Sequence, residues 1–254
     1  MILVRALPRL LLFAVLLVAV LASIPLLTLA FGAVPTSRDW RTASHRPSGL
    51  APDPGIERGA VVQVYSARTF GWRGAFAVHT WLAAKPPDAD AYTRYEVIGW
   101  YSRTGHSVVS VTTARTPDTE WFSAAPTVLR DLRGAEAQAV IDKLDEAVKT
   151  YPHADIYRAW PGPNSNTFIA HLGRAIPELR LTLPANAIGK DYLPAGEFFA
   201  HTPSGTGYQA SLGGLFGIIA GGDEGFELNV LGLVAGIDFA HPALKLPGIG
   251  RLPG

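Results

Sequence analysis

Trp160-Pro161-Gly162-Pro163-Asn164-Ser165-Asn166-Thr167-Phe168 is the run on which the reading of this chain turns. Its two prolines and glycine predict a tight turn. The residues that follow predict a helix that stops before Pro177, with Phe168, Leu172 and Ile176 on one core-facing stripe. Ser165 then falls where the first free backbone N–H groups of that helix point outward, at the positive end of its dipole. Such a place suits an anion, a developing oxyanion or a nucleophile, and equally an ordinary helix cap.

Upstream, Ala60 to Tyr65 reads as a valine-rich strand. A second strand, Gly74 to Ala84, would put Ala77, His79, Trp81 and Ala83 on one face and Phe76, Val78, Thr80 and Leu82 on the other. Tyr92 to Arg103 and Ser107 to Thr113 read as two more strands joined at Thr104-Gly105-His106, and Pro117 to Pro126 as a loop. Val140, Ile141, Leu144 and Val148 recur at helical spacing within Ala135 to Tyr151. Downstream, glycines punctuate Gly205 to Gly236, and Tyr208–Ile219 with Glu227–Phe239 read as a hairpin around Gly221-Gly222-Asp223-Glu224-Gly225. The expected fold class is α+β: a small antiparallel sheet, two packed helices and a glycine-rich apolar extension.

Composition narrows the function. Of 254 residues, 48% are apolar and only 17% charged, and the formal charge of +1 with no Arg/Lys stripe argues against nucleic acid as partner. The absence of cysteine excludes disulfides, thiolate metal sites and a cysteine nucleophile. No histidine pair has metal-ligand spacing, and neither Gly213-Gly214 nor Gly221-Gly222 leads into the Gly-Lys-Ser/Thr of a phosphate loop, so neither metal nor cofactor is expected.

Much of the apolar surplus lies in Leu10 to Val34, an uncharged run behind Arg5 and Arg9 that is long enough to span a bilayer. It reads as an uncleaved anchor, with a cleaved signal peptide as the alternative. Basic residues flank both ends (Arg38, Arg41 and Arg46 on the far side), and the amino-terminal basic patch favours an exported domain. The expected placement is a single pass through the bacterial inner membrane, with the domain periplasmic. The expected organisation is an anchor over 1–35, a linker over 36–58, an α+β domain over 59–195 and the apolar extension over 196–254.

Several runs carry a resemblance: Asp39-Trp40-Arg41-Thr42-Ala43, Trp72-Arg73-Gly74, Val78-His79-Thr80-Trp81, Gly99-Trp100, Trp160 to Phe168, Ala187-Ile188-Gly189-Lys190-Asp191 and Pro203 to Tyr208. In these the chain resembles the bacterial domain of unknown function family 3750, which brings no activity with it. More distantly, Phe76-Ala77-Val78-His79-Thr80, Tyr157 and Asn164 to Phe168 resemble the histidine strand and nucleophile helix of the circularly permuted NlpC/P60-like, papain-related hydrolases. The resemblance implies a papain-like fold with Ser165 in the place of the nucleophilic cysteine.

That exchange changes the chemistry, because an alcohol, unlike a thiol, cannot be ionised in advance by a helix terminus. It needs a base, which the resemblance assigns to His79, and an orienting group, for which Glu96 and Asn186 both qualify. Asn164 or Asn166 would furnish an oxyanion hole. His171, six positions past Ser165, lies about 240° round the helix and reads as a surface residue. Trp81, Trp100, Tyr157 and Trp160 would line a binding groove, or else belong to core and rim.

The leading expectation is a membrane-anchored envelope protein, a cysteine-less papain-like domain binding peptide, lipid or cell-wall fragments. The alternatives are a serine amidase, esterase or acyltransferase using Ser165 and His79, and a structural interaction module using Tyr208 to Phe239.

Overall fold

The computed structural model describes residues 2–32, 34 and 39–253. The first residues of the expected linker, 36–38, and Arg38 among the flanking basic residues lie outside the described residues. The chain opens with α1 (Ile2–Ala30), whose Pro8–Ala30 portion is long and apolar enough to cross a membrane, a test that a signal sequence also passes. Along it, Leu10, Phe13, Leu16, Val20 and Leu27 are exposed, while Leu21 and Pro25 are buried against the rest of the protein.

The first sheet has five antiparallel strands in the order β4-β3-β2-β1-β5: β1 (Val61–Arg68), β2 (Val78–Lys85), β3 (Thr93–Val97), β4 (Val109–Thr112) and β5 (Thr127–Arg133). The strand expected from Tyr92 ends at Val97, and a 3-10 turn over Gly99–Arg103 takes the rest. A second 3-10 turn, Gly71–Ala75, occupies the start of the run expected to open β2. The fifth strand, β5, falls in Thr127–Arg133, where burial alternates weakly and no strand is expected from sequence.

Strict alternation divides the sheet into two faces. Val62, Val64, Val78, Leu82, Ala84, Tyr95 and Val97 face α2 (Gly134–Lys149) and α3 (Ser165–Ala175) and build the main core with Leu144, Phe168, Leu172 and Ile176. Val61, Tyr65, Ala67, Trp81 and Ala83 form a second cluster on the opposite face with Trp121 and Tyr92. Residues 44–51 cover that face: Ser44 N–H donates to Ser123 Oγ, and Leu50 and Ala51 N–H donate to Asp118 Oδ2. Much of the expected linker is thus pinned to the domain.

The carboxy-terminal extension is larger than a hairpin. Each half of the expected hairpin holds two strands, and the whole forms an antiparallel meander: β6 (Phe199–His201), β7 (Gly207–Leu212), β8 (Phe216–Gly221), β9 (Gly225–Val230), β10 (Leu233–Asp238), β11 (Ala243–Leu246) and β12 (Gly250–Leu252). The protein is therefore α+β with two antiparallel sheets and an apolar amino-terminal helix. Charge ties the second sheet to the segment that follows α3: Glu227 on β9 pairs with Lys190 at 2.5 Å and with Lys245 of β11 at 2.6 Å, all three buried. Burial works to raise the Glu227 carboxyl, but the two lysines outweigh it and hold it below its ordinary value.

Candidate functional site

The start of α3 is built as a clamp. Asn164 caps the helix, its Oδ1 accepting from Asn166 N–H at 2.9 Å and Thr167 N–H at 3.2 Å, while Thr167 Oγ1 accepts from Asn164 N–H. The amide groups of Asn164 and Asn166 both donate to the Ile188 carbonyl at 2.9 Å, and Thr167 Oγ1 donates to that of Gly189. Gly189 has φ +89°, and a Cβ there would come within 2.6 Å of the Asn164 amide. Asn166 Nδ2 also donates to Val78 O at 3.0 Å, tying the helix to β2.

Ser165, by contrast, uses only its backbone, its carbonyl accepting from Thr80 Oγ1 at 3.4 Å. Among the described residues no hydrogen bond joins Ser165 Oγ to any group, His79 included. Thr80 faces α3, so its neighbour His79 faces away, on the opposite side of the sheet. There the His79 ring stacks on Trp121, centroids 3.6 Å apart, and Nε2 meets Glu96 Oε2 at 3.2 Å.

The structure thus brings His79 together with Glu96 and does not bring it together with Ser165. Asn186, the other residue weighed as an orienting group, spends its backbone carbonyl on Val78 N–H and its Nδ2 on Gly248 O. Asn164 and Asn166 act as cap and clamp.

Around His79 the environment is buried and charged. Glu96 also accepts from Arg94 at 2.8 Å and Arg115 at 3.1 Å, and Arg94 lies over the Trp81 ring. Burial pushes the Glu96 carboxyl up, but the bonds from His79 and the two arginines prevail and hold it at about 2. Burial dominates at His79 and lowers its pKa, so the imidazole is neutral and Nε2–H donates to Glu96.

The aromatic residues divide as well. Trp81 is buried and donates to Pro117 O, and half-exposed Trp100 stacks near Trp121 at 6.1 Å. Tyr157 lies against Gly99, beside Trp100, where a Cβ would come within 2.5 Å of its ring. Trp160 is exposed and separate, its indole donating to Leu231 O at 2.9 Å. His171 is a correction: expected at the surface, it is half-buried and bonded through Nε2 to Ala147 O at 2.9 Å, because α2 packs across its side of α3.

A cavity of about 960 Å³ lies where the open end of the first sheet meets β10–β12. By register Arg68, paired with Val78, and Arg130, paired with Val64, project on the helix-bearing side of the sheet into this space. Asn186 lines it too, buried, with its Oδ1 unpartnered. Sequence reasoning missed both arginines, because nothing local distinguishes them from the chain's other arginines, and β5, which carries Arg130, is not expected as a strand from sequence.

The family model for proteins of unknown function DUF3750 matches residues 59–192, more than half of the chain and nearly all of the five-stranded unit with its helices. The chain belongs to that family. No curated protein and no solved structure matches it.

Proposed function

We propose that this protein is a membrane-tethered envelope domain that binds lipid and does not catalyse hydrolysis. One observation carries the reading. The outward side chains of β6–β12 run Phe199, His201; Tyr208, Ala210, Leu212; Phe216, Ile218, Ala220; Phe226, Leu228, Val230; Leu233, Ala235, Ile237; Leu244, Leu246; Leu252. None is Asp, Glu, Lys or Arg. Phe199, Tyr208, Phe216, Ile218, Phe226, Leu228 and Leu244 are exposed, whereas Glu227, Lys245, Gln209 and Asp238 are buried on the inner side.

That polarity is reversed from a sheet meant for water, and an apolar surface of such extent marks a membrane or protein contact. The bilayer is favoured because α1 packs against β10 of this same sheet and against the Gly71–Ala75 turn. A helix in the membrane would hold the sheet at its surface. In this reading the helix is an uncleaved inner-membrane anchor and the domain is periplasmic. The order of His79-bearing β2 before the Asn164-capped α3 supports a papain-like, permuted NlpC/P60-type topology. The interaction-module alternative would use the same face for a protein partner. The serine-hydrolase alternative has less behind it, since His79 is engaged by Glu96 on the far face of the sheet.

The chain has no cysteine, so single labels are clean. The test reconstitutes full-length Ile218→Cys and Asp142→Cys, each carrying an environment-sensitive dye, into vesicles containing headgroup-region nitroxide lipids. Quenching at 218 without quenching at 142 is expected. Equal, weak quenching at both would overturn the reading.

A further inference from the structure

The cavity between the two sheets holds two guanidinium groups that no acid among the described residues answers. Its other cations are satisfied: Arg180 by Asp223 at 3.1 Å, Arg251 by Asp238 at 3.3 Å and Lys245 by Glu227 at 2.6 Å. Among the described residues the Arg130 side chain makes no hydrogen bond or ion pair, and its Nε is fully buried. Arg68 donates only through Nη1, to the carbonyls of Gly74 at 2.6 Å and Gly248 at 3.1 Å. Nearby, the Asn186 Oδ1 acceptor is buried and unpartnered. Buried polar groups are rarely left unmatched, and a guanidinium group is best matched by a carboxylate or phosphate.

The remaining lining mixes hydroxyl residues such as Ser66, Thr127 and Thr182 with an apolar wall of Phe70, Val78, Phe122, Leu129, Leu183 and Ile249. Val34, which follows the apolar helix, also lines the cavity. Gly248, whose carbonyl binds Arg68, packs so closely on Pro25 of α1 that a Cβ would come within 2.9 Å of it. The cavity thus adjoins the carboxy-terminal end of the membrane-spanning candidate.

We propose that this cavity binds an acidic amphiphile: a phosphate or carboxylate head, drawn in by Arg130 and Arg68, on an apolar body that lies along the aromatic and aliphatic wall. A hydroxyl on the head group would satisfy Asn186 Oδ1. The volume is of the size that holds a small organic ligand. The proposal rests on the membrane-tethered, lipid-binding reading, because that reading places the cavity beside the bilayer from which such a molecule would come.

The test titrates the full-length protein, in neutral phosphatidylcholine nanodiscs, with lysophosphatidic acid, lysophosphatidylcholine and inorganic phosphate, following thermal unfolding. Lysophosphatidic acid alone should raise Tm saturably, and Arg130→Gln and Arg68→Gln should each weaken its binding by about tenfold or more. Arg130 is only partly buried and has no partner to lose, so Arg130→Gln should fold. Ile249→Trp, which fills the apolar wall, provides a second variant and should also abolish the shift. An equal response to lysophosphatidylcholine, or one unaffected by Arg130→Gln, overturns the proposal. An equal response to inorganic phosphate overturns it in favour of a soluble anion. Dye quenching at residue 218 reads the sheet face independently, so loss of one result does not entail loss of the other.

Discussion

Thr80 Oγ1 donates to Asn166 Oδ1 at 2.9 Å, fastening the middle of β2 to the first turn of α3. Because strand side chains alternate, that bond fixes where the next residue points: His79 lies on the other side of the sheet, against Trp121 and Glu96. The residues at the head of α3 therefore act on one another, on β2 and on the carbonyls of Ile188 and Gly189, not on the imidazole.

Loss of the clamp should destabilise the fold. Asn164→Ala removes the cap and strips the Ile188 carbonyl of one donor. A cost of about 2 kcal/mol is expected, at the upper end for a cap, and urea unfolding measures it.

Ser165→Ala should leave the fold in place, with a stability change under about 1 kcal/mol, because Oγ makes no hydrogen bond among the described residues. A fluorophosphonate probe should not label the wild-type protein. Stoichiometric labelling abolished by Ser165→Ala would establish the serine-enzyme alternative instead.

Acid should weaken the protein in two stages. The lowered pKa of His79 means that the unfolded chain takes up a proton before the folded one does, so stability falls as pH drops below 6.5. His153 and His171, also lowered by burial, act in the same sense. Glu96, at about 2 against an ordinary 4.5, contributes stability that is full above 4.5 and lost as pH falls towards 2. Tm measured against pH should show both stages, and His79→Gln should shrink the first without abolishing it.

Glu227→Gln should be severe. It removes the carboxylate that pairs directly with the buried ammonium groups of Lys190 and Lys245, leaving them the amide oxygen and the carbonyls of Leu183 and Glu224. Removing one member of such a buried cluster costs about 3–5 kcal/mol, and replacement of Lys190 and Lys245 by Met in the same chain should recover part of it. Calorimetry of the single and triple variants checks both statements.

Ile218→Glu with Leu228→Glu should lower Tm only modestly, since both side chains are exposed although they face each other across β8 and β9. A dye placed at Phe216→Cys in that background should lose its quenching by nitroxide lipids. Retained quenching would mean that the face does not rest on the bilayer.

The local patterns were legible in the sequence. The spacing of Val140, Leu144 and Val148 located α2, Pro177 bounded α3 at its far end, and alternation assigned the two faces of β2 correctly, whereas the cap weighed at Ser165 falls one residue earlier, on Asn164. The uncharged amino-terminal run is helical as far as Ala30, a helix that accommodates Pro25. These features depend on periods of two or 3.6 residues, and a chain displays those without tertiary contacts.

Tertiary structure alone decided the rest. Resemblance placed His79 and Ser165 in one site, but only the packing of α3 on the Thr80 face shows them on opposite sides of the sheet. The glycine-rich segment reads as a single hairpin until its turns at Gly213-Gly214 and Leu231-Gly232, all with positive φ, divide each half into two strands. Only then do its scattered Phe, Ile and Leu residues align across seven strands into one uncharged face. Arg68, Arg130 and Asn186 are far apart in the chain, and no local pattern foretells that they line one cavity. In β2, α2 and α3 a side chain's direction follows from the sequence, but what it meets there is set by the elements that pack against it.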